Sequence, residues 1–155
     1  MAFREKLGFK SGFTLVELMV AIAIMGILSS IAIPNFIGWL PDYRLRSATR
    51  DIVSSMQDAK LRAVKENANV VIIFNQNVTF YRSFFDTDDS DDFDPDEDIL
   101  VRQVTLPAGI DIQTDYTVEF TSRGLAKVAG SVQIINNKSN LSKIIVNKAG
   151  NIRVE

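Results

Sequence analysis

A chain of 155 residues suits one domain with an appended element, and its 46% hydrophobic residues are concentrated towards the amino end. It contains neither cysteine nor histidine, which excludes disulfides, thiolate nucleophiles, Cys/His zinc sites and imidazole catalysis. The net charge of −2 conceals a local excess: residues 86–98 hold nine acids and no base, so the rest of the chain has 17 basic residues against ten acidic.

Residues 1–12 are polar and basic, and the 23 residues from Leu18 to Leu40 carry no charge. That is enough helix to cross a bilayer, which needs roughly 20 apolar residues. A buried soluble helix is rarely apolar all round for so long. A secretory signal, with Ser30-Ile31-Ala32 as its small-x-small site, competes better. Glu17 argues against it, because a carboxylate in hydrocarbon costs about 2.5–3.5 kcal/mol even on lenient insertion scales. A filament subunit gains from that acid, which can pair with the free amino terminus of a neighbouring chain and so set register.

Gly12-Phe13-Thr14-Leu15-Val16-Glu17, followed by the apolar run to Ile33, resembles the prepilin signature of type IV pilins and type II secretion pseudopilins. The resemblance implies cleavage by a prepilin peptidase after Gly12, N-methylation of Phe13, and a role for Glu17 in assembly. It also implies a single-pass protein of the bacterial inner membrane with its carboxyl-terminal domain in the periplasm. The organisation is then a leader over 1–12, a transmembrane and filament-core helix over 13–40, and a globular domain over 41–155. Pro34 should loosen or kink the helix, since its ring removes one ladder hydrogen bond.

Beyond Pro41, Leu45, Ala48, Ile52, Met56, Ala59 and Ala63 recur at three- and four-residue spacing among charged residues, which predicts an amphipathic continuation of the helix covering a sheet. From Asn69 the period shortens to two. Strands are predicted over 70–74, 78–85, 99–105, 110–113, 117–121, 132–136, 143–147 and 151–154, with tight turns at Asn75-Gln76-Asn77 and Ala149-Gly150-Asn151. The class is α+β, a long helix on antiparallel sheet. The helix from Arg50 through Ala63, Phe120-Thr121-Ser122-Arg123-Gly124 and Gly150-Asn151-Ile152-Arg153-Val154 loosely resemble the FimT/GspH-like minor subunits.

The acidic loop has two readings. One is a solvated, self-repelling hairpin tip. The other is a calcium site, since counting from Asp86 places Asp86, Asp88, Ser90, Asp92, Asp94 and Glu97 at the oxygen-bearing positions of an EF-hand-like loop, although Asp91 stands where glycine belongs. No phosphate loop or nucleophile–base pair suggests an enzyme. The leading function is a minor pilin or pseudopilin that assembles with other such subunits through an inner-membrane platform. The alternative is DNA capture, which the resemblance to FimT-type subunits implies for a basic carboxyl-terminal region. Lys138, Lys143, Lys148 and Arg153 would serve, but Asn151 stands where the first of that pattern's two arginines belongs.

Overall fold

A computed structural model describes residues 12–87, 90 and 92–155. It contains two compact units, one up to Gly38 and one comprising Trp39–Glu155. Helix α1 (Leu15–Glu66) begins in the first and ends in the second. It stays helical through Pro34 and Pro41. Each proline withholds a single N–H, from the carbonyls of Ser30 and Ile37, and the bonds on either side suffice to continue the helix. The amino-terminal part is long and apolar enough to cross a membrane, and none of its apolar window is buried within the protein.

In the second unit the predicted stripe forms the helix's buried face: Ala48, Ile52, Met56 and Ala63 are fully inaccessible. Its alanines keep the helix thin where it meets the sheets. Asn67 stops α1 by taking a positive φ of 52°, and the Ala68 N–H then bonds the Ala63 carbonyl at 3.2 Å, the six-to-one closure that satisfies a terminal carbonyl.

Eight strands follow, all near their predicted positions: β1 (Val70–Phe74), β2 (Phe80–Phe85), β3 (Ile99–Thr105), β4 (Ile110–Ile112), β5 (Tyr116–Phe120), β6 (Gly130–Asn136), β7 (Leu141–Val146) and β8 (Ile152–Val154). They form two four-stranded sheets, ordered β3-β2-β1-β5 and β4-β6-β7-β8, and every pairing is antiparallel. Both predicted hairpins are present, joining β1 to β2 and β7 to β8. Alternation then sorts the side chains: Val70, Ile72, Phe74, Val118 and Phe120 of one sheet share a single core with Ile112, Val132, Ile134, Ile144 and Val146 of the other and with the helix stripe.

Val71 and Phe84, paired across β1 and β2, are fully buried outside that core. Phe93, from the acidic loop, packs edge-on against Phe84 at 5.2 Å, and Arg82 sits 5.5 Å from the Phe93 ring and 4.8 Å from Phe80. The loop is therefore tied back to the sheet rather than being a purely solvated tip. Partial burial of the Phe93 ring opposes the repulsion among the loop's carboxylates.

Candidate functional site

Gly12 precedes the helix, and Phe13 is 84% exposed. The next turn is a reciprocal cap: Thr14 donates from both its backbone N–H and its hydroxyl to Oε2 of Glu17, each at 2.9 Å, while the Glu17 N–H donates to Oγ1 of Thr14 at 3.2 Å. The first intrahelical bond runs from the Leu18 N–H to the Thr14 carbonyl at 3.2 Å. Thr14-x-x-Glu17 is thus a capping box that satisfies orphan donors and places the carboxylate at the positive end of the helix dipole. Glu17 has partners in its own chain, not only in a neighbour as its isolation in the apolar run suggests. The other oxygen, Oε1, accepts no hydrogen bond among the described residues. The spacing of threonine and glutamate before an apolar run was the available signal.

The acidic loop closes on Asp98, which is 7% exposed. Its two oxygens accept from the Thr87 N–H at 3.1 Å and the Asp94 N–H at 2.9 Å. Asp94 accepts from the Asp96 N–H at 2.9 Å, and Asp86 from the Ser90 N–H at 3.3 Å. Among the described residues no three acidic side chains converge to hold a metal; Asp88, one of the six predicted ligands, lies outside them.

Of the basic residues, Lys143 on β7 lies on the sheet face opposite buried Ile144 and Val146, and Arg153 on β8 pairs with Ile145 on that same face. Lys148 sits in the β7–β8 turn and Lys138 in the β6–β7 turn, at opposite ends of β7.

The structure also joins two stretches far apart in sequence. Lys60 of α1 donates to the Gly150 carbonyl at 2.9 Å. The Ala126 N–H donates to the Lys148 carbonyl at 3.2 Å, and Gly150, at φ 71°, faces the Gly124 carbonyl so closely that a Cβ would lie 2.3 Å from it. The 120–124 and 150–154 stretches therefore meet beside one helical lysine.

At the start of the second unit, Asp42 accepts from the side-chain amides of Asn140 at 2.6 Å and Asn136 at 2.9 Å, tying α1 to the β6–β7 turn. The Asn140 bond, aided by that from Asn136 and the charges of Lys138 and Arg46, holds its carboxyl below the usual range against the opposing effect of burial. Arg44 donates to the Ala108 carbonyl at 3.0 Å.

The helix laid on two antiparallel sheets, preceded by a capped apolar segment, defines a pilin-like subunit. The minor pseudopilin EpsH of Vibrio cholerae has the same fold, with a TM-score of 0.58 at 9% identity, covering 72% of this chain and 96% of that one. The type IV minor pilin FimU of Pseudomonas aeruginosa gives 0.56 at 16% identity, covering 74% and 90%. Residues 9–33 match the prokaryotic N-terminal methylation motif, and residues 48–150 match the type II transport protein GspH family, to which the chain belongs. Among sequence relatives, a fimbrial protein of Pseudomonas aeruginosa is 42% identical over 65 residues, a match spanning 40% of either chain. The pilin-like protein PilA1 of Thermus thermophilus is 25% identical over 158 residues, covering 94% of this chain and 99% of that one.

Proposed function

We propose that the protein is a minor subunit of a type IV pilus or type II secretion pseudopilus, cleaved after Gly12 by a prepilin peptidase, methylated at Phe13 and anchored in the inner membrane until it is drawn into the filament. The observation that carries this is the Thr14–Glu17 cap at the head of an apolar span, with Oε1 of Glu17 still able to accept. In hydrocarbon a carboxylate held by two donors is tolerated, yet it remains attractive to a positive charge. The amino terminus of an incoming neighbour supplies that charge, so Glu17 favours one register.

The test is to express wild type and Glu17→Ala in the source bacterium, shear the cells, and cross-link and identify the neighbours by mass spectrometry. Wild type should begin at Phe13 and cross-link to pilins or pseudopilins in the sheared fraction; Glu17→Ala should be processed but stay in the membrane. A mature terminus elsewhere, or normal assembly of Glu17→Ala, refutes the reading. DNA capture is a second reading, supported by Lys143 and Arg153 sharing one face. It requires that alanine at Lys143, Lys148 and Arg153 lower the salt dependence of DNA affinity.

A further inference from the structure

Trp39, Tyr43, Arg46 and Arg50 recur at four, three and four residues, placing them on one face of α1 directly where the uncharged run ends at Leu40. Trp39 and Tyr43 are each 53% exposed, their ring centroids 5.2 Å apart. With Arg46, Ser47 and Arg50 they line a cleft of about 240 Å³. The same two arginines border an adjoining groove of about 570 Å³ whose walls include Leu45, Leu141 and Val154. Leu141 and Val154 are each 52% exposed.

Arg44 and Asp42 are engaged with the folded domain, whereas Arg46 and Arg50 make no hydrogen bond or ion pair among the described residues. Two guanidiniums one turn apart with no hydrogen bond among the described residues, beside an aromatic pair, present the geometry that a phosphodiester needs, although Arg46 also feels the charge of Asp42 across the adjoining groove. We infer that this face is a binding site for the headgroup of an anionic phospholipid, which seats the subunit at the periplasmic surface of the membrane before assembly.

Three physical points select a lipid as the occupant. Tryptophan and tyrosine belong at the headgroup level, where one edge is apolar and the other wet. At 1.5 Å per residue Arg46 stands about 9 Å beyond Leu40, close to the headgroup layer of roughly 5–7 Å, and Arg50 about 15 Å beyond it. Helical side chains lean towards the helix amino terminus, which brings both guanidiniums down towards that layer while their stems cover the apolar surface. The groove beside them offers apolar walls next to the charges, as an amphiphile requires. Extraction into a filament would release the lipid and free both arginines.

Trp39 is the sole tryptophan, so its emission reports on this site. The full chain would be reconstituted in phosphatidylcholine vesicles containing acyl-brominated phosphatidylglycerol or acyl-brominated phosphatidylcholine at equal mole fraction. The anionic lipid should quench Trp39 about twofold more strongly. Arg46→Gln with Arg50→Gln should equalise the two, and the corresponding double lysine variant should keep the preference. Equal quenching in wild type, or a preference that survives the double Gln variant, overturns the site. The inference rests on the membrane-anchored reading: no quenching by either lipid would remove the anchor itself, whereas strong but equal quenching removes only the headgroup site. A preference that appears only after Asp92, Asp94 and Glu97 are neutralised would assign the arginines to the acidic loop of a second copy, and so also overturns the lipid assignment.

Discussion

Gly150→Ala should be among the most damaging single-methyl additions to the domain. Gly150 and Gly109 both have positive φ, 71° and 82°, so alanine at either carries about 1 kcal/mol of left-handed strain. Their surroundings differ. A Cβ at 109 meets only the Asn137 side chain at 3.8 Å, whereas one at 150 falls 2.3 Å from the Gly124 carbonyl oxygen and 3.1 Å from Nζ of Lys60. The oxygen belongs to backbone, so the β7–β8 turn must move away, and the Lys60 bond to the Gly150 carbonyl lengthens with it. Loss of a charged hydrogen bond adds about 1.5–3 kcal/mol.

The total is about 2.5–4 kcal/mol for Gly150→Ala against about 1 for Gly109→Ala, or about 10–16 °C against about 4 °C in melting temperature for a unit of this size. Near-ultraviolet circular dichroism of the full chain in detergent, which reads tertiary packing rather than helix content, would record both. Lys60→Met should fall between them, since it removes the bond without the clash. Equal effects at 150 and 109 would refute the assignment of the difference to the Gly124 carbonyl.

Ile52→Ala removes a fully buried side chain between helix and sheets and should cost about 3–4 kcal/mol in urea denaturation, whereas Leu61→Ala, at a residue 68% exposed on the same helix, should change stability by less than about 0.5. Asp98→Ala removes the acceptor of two loop N–H groups, so exchange at the Thr87 and Asp94 amides should accelerate about tenfold or more while exchange in β6 and β7 is unchanged. Burial pushes the Tyr116 hydroxyl up to about 12 from its ordinary 10. The folded state thus holds a proton that the unfolded state loses, so the corresponding stability is intact below pH 10 and declines as pH rises through 12. Tyr116→Phe should reduce that alkaline loss in thermal melts, the remainder reflecting Tyr81, which burial also raises despite its bond with Ser55.

What could be read from the chain alone was local. The apolar run, the basic stretch before it and Glu17 are neighbours in sequence. The stripe Leu45, Ala48, Ile52, Met56, Ala59 and Ala63 repeats with the helix, and the eight strands coincide with short windows rich in β-branched and aromatic residues. Both hairpins were legible because a tight turn brings the two strands it joins side by side in antiparallel register. The Thr14–Glu17 cap is equally local, a threonine and a glutamate three residues apart at the head of the apolar run.

Tertiary structure decided what depends on distant partners. Nothing near β1 specifies that β5 pairs along its other side, or that the strands divide into two sheets. The acidic loop shows repulsion in sequence, and only the folded sheet brings the ring of Phe84 to Phe93, which covers it and holds the loop down. Gly124 and Gly150 look like separate turns until Lys60 and the close approach of their backbones join them. Such contacts follow from how the chain closes on one shared core, and loop closure over so many residues leaves no periodic mark in the sequence.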